Sequence, residues 1–121
     1  MEKYIHLVLI CWIISHVGHA ALSIFYEQSP AVFLVPIIRL LLVLLIIGAW
    51  RRNRWAAKMC AIFAVVVIVI HGSFIWCREP YGAFSIPVLV FDILEVVVAI
   101  LYLVFFFSSQ RERYLSGPNE A

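Results

Sequence analysis

The sequence predicts an all-α membrane protein with four transmembrane helices in an up-down bundle, N- and C-termini cytoplasmic. Three observations predict it. Hydrophobic residues make up 65% of the 121 and charged ones 13%, against about 45–50% and about 25% in soluble globular chains. The apolar residues fall into four runs, about 4–26, 30–50, 55–77 and 84–107, each near or above the roughly 20 residues that cross a hydrocarbon core about 30 Å thick. The basic residues near the ends of the runs fall, all but Arg78, on one side of the resulting topology.

Spanning backbone must satisfy its own hydrogen bonds, and runs of this length do so as helices, not as the roughly 10-residue alternating strands of membrane barrels. The first run is too long for a signal-peptide core and carries His16 and His19, so it is expected to be retained. Lys3, Arg51, Arg52, Arg54, Lys58, Arg111 and Arg113 share one side, whereas the other has Arg78 alone. Basic loops stay in the cytoplasm, which sets the orientation. Tyr4, Tyr26, Trp50, Trp55, Trp76 and Tyr81 stand at span ends, where aromatic side chains anchor to the interface.

The connections are short, so consecutive helices are expected to be antiparallel neighbours in one domain over residues 1–115. A polar tail, 116–121, with Gly117 and Pro118, is expected to be disordered. Pro36 and Pro87 sit inside the second and fourth runs and predict kinks near the outer ends. His19, Glu27 and Pro36 are spaced almost as His71, Glu79 and Pro87, a pattern that a duplicated hairpin would produce.

Six ionisable residues lie within the spans: His16, His19, Arg39, His71, Asp92 and Glu95. Each is costly near the bilayer centre, an Arg or Asp by roughly 2.5–3.5 kcal/mol on insertion scales, so such residues face inward, pair, or line a site. Counting along each helix at about 1.5 Å per residue puts His16, Arg39 and Glu95 in one layer and His19, His71 and Asp92 in a second, farther out. An Arg39–Glu95 ion pair follows. Trp12, His16, His19, Ser23 and Tyr26 form one helical stripe, and Val88, Asp92, Glu95, Ala99 and Tyr102 another, so the two are expected to meet inside the bundle or to face a partner chain.

Several functions fit this pattern. An accessory or structural subunit of a larger membrane enzyme or transport complex is the leading expectation, because so little chain lies outside the membrane. Its partners would be membrane lipids and other membrane subunits or further copies of itself. A redox or metal bundle is the second, with haem b clamped between His19 and His71, or a transition metal held by His19, His71 and Asp92 or by His16, His19, Asp92 and Glu95. A proton or ion path is the third, with Glu95 or Asp92 carrying the proton beside Arg39 and His16 or His19 extending the path. Nucleic-acid binding is not expected, since topology accounts for the basic residues. Phosphate loops and nucleophile motifs are absent from the sequence, so the chain is not expected to be catalytic by itself. Its place is the cell membrane, the inner one in a bacterium. Cys11, Cys60 and Cys77 are read as apolar packing, and Ser15, Ser23, Ser73 and Ser85 as helix-backbone or cross-helix hydrogen bonders.

Overall fold

The computed structural model describes residues 2–26, 34–76 and 85–117. Every element among them is helical: α1 (Glu2–Tyr26), α2 (Leu34–Trp50), α3 (Arg54–Trp76), α4 (Ser85–Phe106) and α5 (Gln110–Leu115). In α1, α3 and α4 the apolar stretches Lys3–Leu22, Arg54–Ser73 and Leu89–Phe106 are long and apolar enough to cross a membrane. The apolar part of α2, Pro36–Trp50, is shorter.

The four long helices close into a ring in which α1 packs on α2, α2 on α3, α3 on α4 and α4 back on α1. Each turns a different face to each environment. Leu7, Ile14 and Val17 on α1, Leu40 and Leu44 on α2, Val65 and Val69 on α3, and Val90 and Val104 on α4 are exposed. Charged residues lie at the centre. Polar inside and apolar outside is the arrangement that a hydrocarbon solvent favours, since apolar side chains lose nothing there and polar groups must find partners within the protein.

Small residues let the helices approach. Ala57, Ala61 and Ala64 on α3 are buried, and the hydroxyl of Tyr102 on α4 donates across the seam to the Ala57 carbonyl at 2.7 Å. Trp12, Tyr102 and Phe105 fill the half of the core nearer the chain termini, with Trp12 and Tyr102 ring centroids 5.2 Å apart.

The turn between α2 and α3 is closed by backbone bonds from Arg52 N to Ala49 O and from Asn53 N to Gly48 O, both 3.0 Å. This is a Schellman ending, whose left-handed position glycine usually takes. Here Arg52 takes it, at φ 64°. Asn53 then starts α3, its side-chain oxygen accepting the Ala56 N–H at 3.0 Å, which satisfies one of the donors that a helix start leaves open.

Pro36 and Pro87 stand third in the described parts of α2 and α4, and the residues four before them, Val32 and Ala83, which the expected kinks involve, lie outside the described residues. One sequence expectation changes. The expected tail begins as ordered chain: Ser116 and Gly117 return backbone N–H groups to Glu112 O (2.9 Å) and Tyr114 O (3.3 Å), closing α5. Glu27, Glu79 and residues 118–121 lie outside the described residues.

Candidate functional site

The structure brings all six sequence-predicted residues together at the centre of the ring. α1 supplies His16 and His19, α2 Arg39, α3 His71, and α4 Asp92 and Glu95. Helical spacing is the reason: 16 and 19 on α1, and 92 and 95 on α4, are three apart and share a face. Glu95 and His16 are 0% and 1% exposed, Asp92 3%, His71 6% and His19 9%. Gly18 sets the spacing of α1 and α4 beside the cluster, since a Cβ at this position would overlap the Phe91 ring. That ring stands edge-on to His19, centroids 5.8 Å apart.

Arg39 is the hub of one layer. Its Nη1 donates to Glu95 Oε1 and to His16 Nδ1, both at 2.9 Å, and its Nη2 donates to His71 Nε2 at 3.1 Å. One side chain from α2 thereby touches the other three long helices. A guanidinium has donors only, so His16 Nδ1 and His71 Nε2 must both accept.

Asp92 is the hub of the other layer. Its Oδ1 is 2.7 Å from His71 Nδ1 and 2.9 Å from His19 Nε2. His71, accepting on Nε2, carries its hydrogen on Nδ1 and donates it to Asp92. His19 Nδ1 is 3.1 Å from the Ser15 carbonyl oxygen, which can only accept, so His19 has a hydrogen on Nδ1.

Two contacts between acceptors remain. His16 Nδ1 and Glu95 Oε1 are 3.2 Å apart and share the two hydrogens of Arg39 Nη1. His19 Nε2 and Asp92 Oδ1, at hydrogen-bond distance, have no such donor and need a further hydrogen between them, because without it two lone pairs face each other. Charge gives the same answer independently. Arg39 brings one positive charge and Asp92 and Glu95 two negative ones, so the buried cluster is one positive charge short. A single proton on the His19–Asp92 link supplies the missing hydrogen and neutralises the cluster. Glu95 Oε2 and Ser15 Oγ, also buried, have no hydrogen-bond partner among the described residues. Glu95 Oε2 lies 3.5 Å from His71 Nε2, so His71 stands between the two carboxylates.

The donor set was tested against the expected cofactors. His19, His71 and Asp92 each bring a ligand atom within 4.8 Å of the others. A metal would need a lone pair on His71 Nδ1, which would move that ring's hydrogen to Nε2 against the Arg39 guanidinium. Hydrogen bonding fits the arrangement better. A haem clamped between His19 and His71 does not fit: the ring centroids are 4.9 Å apart and both rings meet the same carboxylate oxygen, leaving no gap for a macrocycle.

Sequence reasoning missed a second cluster, at the end of the bundle that carries the chain termini. His6 stacks on Trp50 with centroids 4.1 Å apart. The Tyr114 hydroxyl donates to the Trp50 carbonyl at 2.6 Å and lies 3.3 Å from His6 Nε2. Arg52, read from sequence as a topology-setting loop charge, is 5% exposed, lies over the Tyr114 ring at 4.3 Å and donates to the Tyr114 carbonyl. The signal available was an aromatic residue in an otherwise charged segment, Tyr114 within Arg-Glu-Arg-Tyr-Leu. Ser73 donates to the Val69 carbonyl at 2.7 Å, as a serine in an apolar helix should. Cys60 is buried and Cys11 partly so, both as free thiols, and Cys77 lies outside the described residues.

No protein-family model, curated protein or solved structure matches this chain.

Proposed function

We propose that this chain is a four-span membrane protein, both termini cytoplasmic, whose buried centre binds one exchangeable proton, making it a proton-handling component of the cell membrane. The observation that carries the reading is the agreement of two counts, of hydrogens and of charges, on one proton between His19 and Asp92. Clusters of carboxylates and histidines inside a bundle are the material of proton relays. The four-span topology is supported by the closed ring, the apolar exterior of every long helix and the one-sided basic residues. α2, at 17 described residues, extends about 25 Å at the helical rise, near the hydrocarbon thickness.

In this reading His71 is the shuttle. Its Nδ1 faces Asp92 and its Nε2 faces Glu95, so an imidazole that takes a proton on one nitrogen releases the other toward the second carboxylate. Arg39 holds His71 Nε2 as an acceptor and must loosen its hydrogen bond before that nitrogen can take a proton, the hydrogen on Nδ1 then leaving to Asp92. The described polar stripes are spent inside the chain. Membership of a larger membrane complex, expected from the small extramembrane surface, is compatible with the same centre and would rest on the apolar exterior.

Nitrogen-15 NMR of histidine-labelled protein in lipid bilayers tests the proposal. The expected result is His16 neutral with hydrogen on Nε2, His71 neutral with hydrogen on Nδ1, and His19 doubly protonated, its Nε2 hydrogen exchanging with deuterated solvent. Three neutral histidines together with an ionised Asp92, read from the carbon-13 shift of its carboxyl group, at every pH where the protein stays folded would sink it. So would about one tightly held metal ion per chain that is lost in His19→Ala.

A further inference from the structure

At the end of the bundle that carries the chain termini, a cleft of about 380 Å³ opens between the start of α3 and the α4–α5 elbow, lined by Arg54, Trp55, Lys58, Phe106, Arg111, Glu112 and Leu115. Its chemistry is split. Trp55, Phe106 and Leu115 give an apolar floor and wall, and Trp55 is 64% exposed. The rim holds three cations against one carboxylate, a surplus of two positive charges. Glu112 accepts from Arg54 Nη1 at 3.0 Å and lies 3.6 Å from Arg111 Nε, one carboxylate shared by two cations, while the Arg111 guanidinium lies 4.8 Å over the Phe106 ring. Lys58, one turn into α3 and exposed, has no partner among the described residues. From Lys58 an exposed apolar stripe, Ile62, Val65 and Val69, runs down the same face of α3, as spacings of three and four require.

We infer that this cleft is a site for one anionic phospholipid, its phosphate held by Lys58 and Arg111 and its acyl chains lying along the Ile62–Val69 stripe. A basic rim, an interfacial indole and an apolar track in that order match the headgroup, interface and tail of a lipid. A soluble phosphate compound would use the rim and leave the track without purpose. The inference rests on the membrane topology proposed above and not on the proton at His19.

The test uses full-length protein in phosphatidylcholine bilayers containing a small fraction of brominated phosphatidylglycerol, with quenching of Trp55 read as the difference from a Trp55→Phe variant. The expected result is half-maximal quenching at roughly tenfold less brominated phosphatidylglycerol than brominated phosphatidylcholine. The preference should fall to near one in Lys58→Gln/Arg111→Gln and persist in Arg113→Gln, a charge outside the cleft. A wild-type preference near one overturns the proposal, because Trp55 then meets only bulk lipid. An unchanged double variant overturns it too. Relief of quenching by millimolar inorganic phosphate would replace the lipid with a free phosphate compound. Absence of Trp55 quenching by either lipid would instead count against the topology.

Discussion

Arg39 and Glu95, on helices that face each other across the ring, meet at 2.9 Å with the Glu95 side chain fully buried. The same Arg39 nitrogen also holds His16 at 2.9 Å, so the guanidinium orients more than its ion-pair partner. A lysine could carry the charge but not the planar fork that reaches three helices at once.

Removing that cation should be costly. Arg39→Gln leaves two buried carboxylates without their fixed counter-charge, and breaking one side of a buried pair typically costs about 3–5 kcal/mol. The double variant Arg39→Gln/Glu95→Gln restores the fixed charge of the wild-type cluster, because Asp92 alone then supplies one negative charge. Thermal unfolding in detergent should therefore show the double variant more stable than Arg39→Gln alone, with a coupling of about 2 kcal/mol or more. Additive losses would mean that the pair contributes no mutual stabilisation.

Gly18 should tolerate no side chain while Phe91 keeps its place. Gly18→Ala sets a methyl group into the Phe91 ring, and overpacking of this kind costs about 1–3 kcal/mol. Phe91→Leu, which shortens the side chain that occupies the space, should return part of that loss when combined with it. The readout is the unfolding midpoint of the single and double variants. If Gly18→Ala alone matches wild type, the Phe91 ring moves aside freely and does not fix the spacing of α1 and α4.

The six central residues could be sorted into two layers from sequence because a helix rises by a fixed amount per residue and short connections make neighbours antiparallel. The stripes at His16/His19 and Asp92/Glu95 followed from period alone. Donor and acceptor roles did not, since they depend on which atom of Arg39 reaches which ring. Arg52 was hidden for a different reason: a left-handed residue closing a helix is normally glycine, and only contact with Tyr114 explains an arginine there. α5 was hidden as well, because six residues do not form a helix on propensity, and this one exists through the burial of Tyr114 and Leu115.

Arg52 offers a comparison between two small residues. Arg52→Ala and Arg52→Gly both lose the contact with Tyr114, but alanine must also hold φ near 64°, a conformation that costs a non-glycine residue about 1–2 kcal/mol. The glycine variant should therefore be the more stable of the two by about that amount, with both below wild type. Equal stability of the two would show that the turn rearranges once the arginine is gone.

Glu95→Gln sets the two counts behind the proposed proton against each other. The amide keeps an oxygen for Arg39 and brings a donor where Oε2 lacked one, so the fold should persist. Arg39 and Asp92 now balance, and the extra proton would leave the buried cluster with a net positive charge. The hydrogen needed between His19 and Asp92 remains. An uncompensated charge in a low-dielectric interior costs several kcal/mol or more even after relaxation, whereas a hydrogen bond is worth about 1 kcal/mol net. Charge should win. In Glu95→Gln, His19 should become neutral with its single hydrogen on Nε2, facing Asp92, and should give up the bond from Nδ1 to the Ser15 carbonyl. Nitrogen-15 shifts of His19 in variant and wild type, together with their unfolding midpoints, decide this. A doubly protonated His19 in a stable Glu95→Gln protein would mean that the proton is held by local hydrogen bonding and not by the charge of the cluster, and that it is structural rather than exchangeable.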